Sequence, residues 1–213
     1  MKIHQISFHE NGKILSGNKP ESQSKAIGIL AQEIMDLLRD KQMGVGFAES
    51  CTGGLLSSEL TKIPGASDVF WGAIVSYANS VKSGVLGVSQ EVLDTDGAVS
   101  ARCAEQMAAG ALKTLGCQIA VSITGVAGPK SGSAKAPVGT VFITVAGMNK
   151  AKDVKTETFQ HDFGQTVESI SEEVKEDNSG EARGFTRKLG REEIQRMACA
   201  AALKHLKEFL KED

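Results

Sequence analysis

The chain has 213 residues, 41% of them hydrophobic and 23% charged, with a formal net charge of -2. That length suits one domain with appendages. The acidic isoelectric point, near 6.1, argues against binding to nucleic-acid phosphates, because no basic surplus exists to release counterions.

Residues 1–21 are polar and carry an Asn11-Gly12 turn signal, which predicts a small hairpin or a loose extension. From about residue 22, Ile27, Leu30, Ile34, Leu37 and Leu38 recur at helical spacing. "MGVGFA" (43–48) then reads as a short buried strand, and "TGGLLSSELTKI" (52–63) as a helix that stops before Pro64. "VFWGAIVSY" (69–77) is an apolar strand, followed by a short helix and turn in "NSVKSGVLG" (79–87). Ser100 caps a helix whose one face carries Ala104, Met107, Ala108, Ala111, Leu112 and Leu115.

"CQIAVSIT" (117–124) and "VGTVFITVAG" (138–147) are β-branched strands around a glycine-rich loop. "VKTETFQ" (154–160) alternates like an edge strand, and residues 191–210 form a strong final helix. Between them, residues 164–190 are charged and poor in large apolar side chains, which predicts a mobile surface insertion. Strands alternating with helices indicate an α/β fold, a three-layer α/β/α sandwich with a mixed sheet. The expected organisation is an extension over 1–21 and a single domain over 22–213.

The four cysteines, Cys51, Cys103, Cys117 and Cys199, form no C-x-x-C pair. They fit a reduced cytosol better than a disulfide framework. The first residues lack the apolar core of a signal peptide, and no apolar run approaches membrane-spanning length. A soluble, cytoplasmic protein without a membrane partner is expected. His4 and His9 face opposite ways on an extended segment, and no His/Asp/Glu cluster has ligand spacing, so no metal is expected.

The chemistry concentrates in "GFAESCTGG" (46–54). A strand running straight into Ser, Thr and Gly before a helix leaves unpaired N–H groups that suit a phosphate or an oxyanion. Helix capping by Ser50 or Thr52 is the plainer account. The two usual nucleotide-binding loops are absent. A serine nucleophile needs a base, and His4, His9, His161 and His205 are poorly placed. A serine–lysine pair remains open, since a desolvated lysine sheds its proton near neutral pH. Lys82, in a small-residue neighbourhood after a buried strand, is the candidate, although a solvated lysine fits the same residues. Cys51 is an alternative nucleophile.

"AESCTGG" (48–54), "YANSVK" (77–82), "GAVS" (97–100) and "ITGVAGPKSGSAKAPVGTV" (123–141), in that order, resemble the C-terminal domain of the competence/damage-inducible CinA proteins. The resemblance runs over about residues 22–145 and resumes in the final helix. In stand-alone form that domain is the nicotinamide-nucleotide amidase of pyridine-nucleotide salvage. It hydrolyses nicotinamide mononucleotide to nicotinate mononucleotide and ammonia, without metal or organic cofactor.

The resemblance implies Ser50 as nucleophile, Lys82 as base and Tyr77 as the motif tyrosine. It further implies substrate contacts at Thr52, Gly53, Gly54, Asn79, Thr124, Gly125, Gly128, Gly139 and Arg191, and a homodimer. An amidase with another substrate, or a non-catalytic binding domain of the same fold, is the alternative. The family's G-D-R-x-x-V-R pattern reads "LGREEIQ" here: Arg191 keeps the first arginine and Gln195 replaces the second. No activity is carried over from the N-terminal domain of the longer CinA proteins.

Overall fold

The computed structural model describes residues 3–6, 20–130, 136–148, 153–164, 167–169, 185–187 and 189–212. In chain order the elements are β1 (Ile3–Ile6), α1 (Pro20–Lys41), β2 (Val45–Glu49), α2 (Leu55–Thr61), β3 (Phe70–Val75) and α3 (Asn79–Gly84). They continue with α4 (Gln90–Thr95), α5 (Ala101–Leu115), β4 (Ile119–Gly125), β5 (Thr140–Met148) and β6 (Val154–Asp162). The short strands β7 (Val167–Ser169) and β8 (Phe185–Arg187) then precede α6 (Arg191–Glu212).

Six strands form one sheet in the order β1-β6-β5-β4-β2-β3. β2 is parallel to β3 and β4, β5 is antiparallel to β4 and β6, and β1 is parallel to β6. The sheet is therefore mixed, as expected.

Alternation along the central strands separates two cores. Val45, Phe47, Ile119, Val121, Ile123, Val141, Ile143 and Val145 pack with α1, α2 and α6 on one face. Ala48, Ala120 and Ala146 meet α5, with Cys103, Met107, Ala108 and Ala111, on the other. Large side chains thus fill the three-helix face, while alanines let α5 lie close. That gives three layers. Among the described residues no helix is long and apolar enough to cross a membrane.

Local signals explain most boundaries. The Ser100 hydroxyl accepts from the amide of Cys103, and Gly116, at φ 65°, ends α5 in the left-handed conformation. Two expectations need revising, and one helix is additional. α2 begins at Leu55 rather than Thr52, because Gly53 and Gly54 take positive φ values and hold 52–54 in a turn. β6 is not a free edge: β1 covers Thr158–His161, leaving only its first half unpaired. Helix α4, capped by Ser89, is too short for its apolar spacing to have stood out.

The described part of residues 1–21 is thus a sheet strand plus the start of α1, and the Asn11-Gly12 turn lies outside the described residues. So does most of the stretch 164–190, within which β7 and β8 pair antiparallel.

Candidate active site

The site forms at the carboxyl ends of the parallel strands β2 and β3, where the chain leaves the sheet. β2 delivers Glu49 and then Ser50, whose amide donates to the carbonyl of Ile123 on β4. β3 ends at Val75, and the amide of Ser76 donates to the Glu49 carbonyl at 2.7 Å. One turn into α3, Lys82 points back under this junction. Its side chain is 1% exposed, while Ser50 keeps 8%.

Lys82 Nζ lies 3.0 Å from Ser50 Oγ and donates to the Ser76 carbonyl at 2.5 Å. No carboxylate pairs with it among the described residues. Burial lowers its pKa from the ordinary value of 10.5, opposed only by the thiols of Cys103 and Cys51. A desolvated base beside a nearly buried hydroxyl, with one N–H fixed by a carbonyl, is an arrangement that suits a serine nucleophile.

Cys51 is placed differently. It is 4% exposed and belongs to the core on the α1/α2/α6 face. Burial, the largest influence, pushes its thiol up to about 12. The thiol is a packing group.

The turn that carries Ser50 is held by Glu49, a fully buried carboxylate that was not singled out from the sequence. It accepts from Thr52 Oγ1 at 2.8 Å and from the amides of Gly54 (2.9 Å), Leu56 (3.2 Å) and Ser57 (2.9 Å). It also accepts from the Ser57 hydroxyl. The signal was available: an acidic residue just before a turn and a helix start is a capping group.

The other expected residues divide. The Thr52 hydroxyl and the Gly54 amide are bound to Glu49, and the Gly53 amide donates to the Ser50 carbonyl at 3.1 Å. Thr124 donates to the carbonyl of Ala98 at 2.6 Å, tying the "GAVS" loop to the end of β4. Gly139, at φ 97°, donates its amide to Val126, and a Cβ there would meet the Gly164 backbone at 1.9 Å. Its glycine serves close backbone packing. Gly125, at the end of β4, leaves equally little room: a Cβ would meet the Thr140 carbonyl at 2.7 Å. Asn79 is exposed at the start of α3. Residues 131–135 of the glycine-rich loop lie outside the described residues.

The first turns of α6 close the site. Arg191 donates to the Gly128 carbonyl at 2.7 Å and to Tyr77 Oη at 2.8 Å, which joins two motif segments. Tyr77 is 61% exposed and makes no hydrogen bond to Ser50 or Lys82. Gln195 donates to the Cys51 carbonyl at 2.7 Å. Thr52, Gly53, Gly54, Leu55 and Ser58 face Arg191, Glu192, Gln195 and Arg196 across an open cleft of about 650 Å³. Arg196 escaped notice in the sequence because the family arginine aligns one residue earlier. Its guanidinium also binds Ser24 Oγ and Glu192. Among the described residues no group of His, Cys, Asp and Glu could hold a metal ion.

A family model described as the CinA C-terminal domain matches residues 28–177. The chain belongs to the CinA C-terminal domain family. CinA-like proteins of Pseudothermotoga lettingae and Trichormus variabilis are 48% and 49% identical to it over 126 and 135 residues. These matches take in 59% and 63% of this chain but 31% and 32% of those proteins, so the chain spans about a third of their length.

Among solved structures, the competence/damage inducible protein CihA from Agrobacterium tumefaciens is 34% identical with a TM-score of 0.70. The match covers 87% of this chain and 95% of that one. A competence-damaged protein (CinA) superfamily protein from Klebsiella pneumoniae, at 24% identity and a TM-score of 0.69, shares the fold. Within the CinA C-terminal domain, the dyad elements β2, β3 and α3 all fall inside the matched residues.

Proposed function

We propose that this CinA C-terminal domain is an amidohydrolase that converts nicotinamide mononucleotide to nicotinate mononucleotide and ammonia. Ser50 serves as nucleophile and Lys82 as general base. The observation that carries this reading is the buried Lys82 amine, 3.0 Å from Ser50 Oγ and without an acidic partner among the described residues.

The reading implies the following steps. Neutral Lys82 takes the Ser50 proton as Oγ bonds to the carboxamide carbon, and the carbonyl oxygen becomes an oxyanion. The amides of Cys51 and Thr52 have no oxygen acceptor among the described residues and are the donors left for that oxyanion. The C–N bond then breaks, Lys82 returns the proton to the departing nitrogen, and ammonia leaves a Ser50 ester. Water, giving its proton to Lys82, attacks the ester carbon; the C–Oγ bond breaks and Ser50 regains a proton, which releases the acid.

The cleft supports a substrate with an anionic end. Two guanidiniums, Arg191 and Arg196, face glycine backbone across it, a setting that suits phosphate. Glu192 offsets part of that charge, which leaves room for a second reading, an amidase whose substrate bears a weaker anion. Ammonia release should be measured with nicotinamide mononucleotide, nicotinamide riboside, nicotinamide and simple amides. Turnover fastest with the mononucleotide supports the proposal. Preference for an amide without phosphate redirects the substrate, and binding without ammonia from any of them rejects the hydrolase.

A further inference from the structure

The amides of the nucleophile turn can be accounted for one by one. Ser50 donates to Ile123, Gly53 to the Ser50 carbonyl, Leu55 to the Thr52 carbonyl and Ser58 to the Gly54 carbonyl. Gly54, Leu56 and Ser57 donate to the Glu49 carboxylate. Among the described residues the amides of Cys51 and Thr52 have no oxygen acceptor, and the Cys51 amide meets only its own thiol. An isolated buried carboxylate would be costly, and these charge-assisted bonds, with two hydroxyls, repay it.

The same residue reaches the other half of the dyad through its backbone. The Glu49 carbonyl receives both the amide of Ser76 at 2.7 Å and its hydroxyl at 3.3 Å. The Ser76 carbonyl in turn receives Lys82 Nζ. Glu49 is therefore joined to Ser50 by the peptide bond and to Lys82 by hydrogen bonds through Ser76, while its carboxylate is turned toward α2.

We propose that Glu49 is a positioning residue for this site: its carboxylate gathers the α2-side amides and leaves those of Cys51 and Thr52 to face the reacting oxygen beside Ser50. The proposal rests on the Ser50–Lys82 reading but not on the identity of the amide. It differs from plain helix capping in what it controls. A cap sets stability, whereas this carboxylate sets which N–H groups remain available.

Glu49→Gln is the informative change. The hydroxyls of Thr52 and Ser57 can rotate to accept from a carboxamide, but amides cannot. A glutamine NH2 must therefore confront either Ser57 N–H or those of Gly54 and Leu56. Turn geometry shifts while volume is conserved.

The test uses the full chain and a fluorophosphonate probe, in which Ser50 Oγ bonds to phosphorus, fluoride leaves and the proton passes to Lys82. The expected result for folded Glu49→Gln is a fall of about 100-fold in both the labelling rate and kcat, with KM within about threefold of the parent. The pH at which kcat/KM rises should stay in place, because Glu49 acts by geometry rather than by charge on Lys82. Labelling within about twofold of the parent would overturn the proposal, as would a displaced pH profile.

If the variant does not fold, amide NMR of the parent decides. Phosphonylation should move the Cys51 and Thr52 amide protons downfield and leave Gly54, Leu56 and Ser57 in place. Movement at Gly54 instead would overturn it. A parent that labels at Ser50 yet releases no ammonia from the mononucleotide refutes the substrate and leaves the positioning role standing.

Discussion

Ser50 and Cys51 are neighbours with opposite fates, and the difference is one of direction along an ending strand. Ser50 turns toward Lys82, and Cys51 turns into the α1/α2/α6 core, where burial raises its thiol to about 12 and keeps it protonated. Cys51→Ala should therefore keep kcat within a few-fold and lose stability of order 1 kcal/mol for the removed packing. Ser50→Ala should lower kcat by at least about 1000-fold with the fold intact. Steady-state kinetics with circular dichroism checks both, and a dead Cys51→Ala beside an active Ser50→Ala would invert the assignment. The hydroxyl–lysine pairing was visible in the motifs. The burial of Lys82 was not, because a solvated lysine fits the same local sequence; only the fold sets its amine against Ser50 and the Ser76 carbonyl. Glu49 escaped for a related reason: its donors are an ordinary turn and helix start, and only the fold shows them converging on one carboxylate.

Among the elements, the helices and central strands were legible because each carried its own period, cap or β-branched run. What could not be read was pairing between distant segments. β6 alternates as an edge strand should, yet β1 lies along half of it. The same strand makes a buried histidine pair, His161 on β6 with His205 on α6, ring nitrogens 2.9 Å apart. The pair is sandwiched by Phe159 against His205 and Phe163 against His161. Burial first, and Lys204 second, push His161 down to about 4. Because its folded pKa lies below the unfolded value of about 6.5, the unfolded chain binds the extra proton between those limits. Stability should thus fall as pH drops from about 6.5 toward 4, by up to about 3 kcal/mol from this residue. Denaturant melts of the parent and His161→Phe at pH 7 and pH 4.5 test this. The variant should lose less on acidification, and equal losses would remove His161 as the cause.

At the scale of the whole molecule, the CinA C-terminal fold brings four sequence motifs that are far apart in the chain to one end of a mixed sheet. The resemblance already foretold that architecture, while the closure of the site by the start of α6 needed the tertiary structure. Gln195, a departure from the family pattern, binds the Cys51 carbonyl, and the neighbouring Arg196 supplies a guanidinium to the cleft. The expected homodimer also belongs to this scale. β3 is an outer strand of the sheet, and Trp71 and Val75 on it, with Tyr77 just beyond its end, are exposed, an apolar strip that suits a second copy of the chain. Light scattering at micromolar concentration should give twice the 22.5 kDa chain mass, and a monomer mass would reject the dimer. The central claim, that this molecule is a catalyst working through Ser50 and a neutral Lys82, is tested most directly by kcat of Lys82→Arg at saturating nicotinamide mononucleotide. A guanidinium stays protonated and cannot take the serine proton. A folded Lys82→Arg variant should lose at least about 1000-fold, as much as Lys82→Ala. Activity within about tenfold of the parent would contradict it.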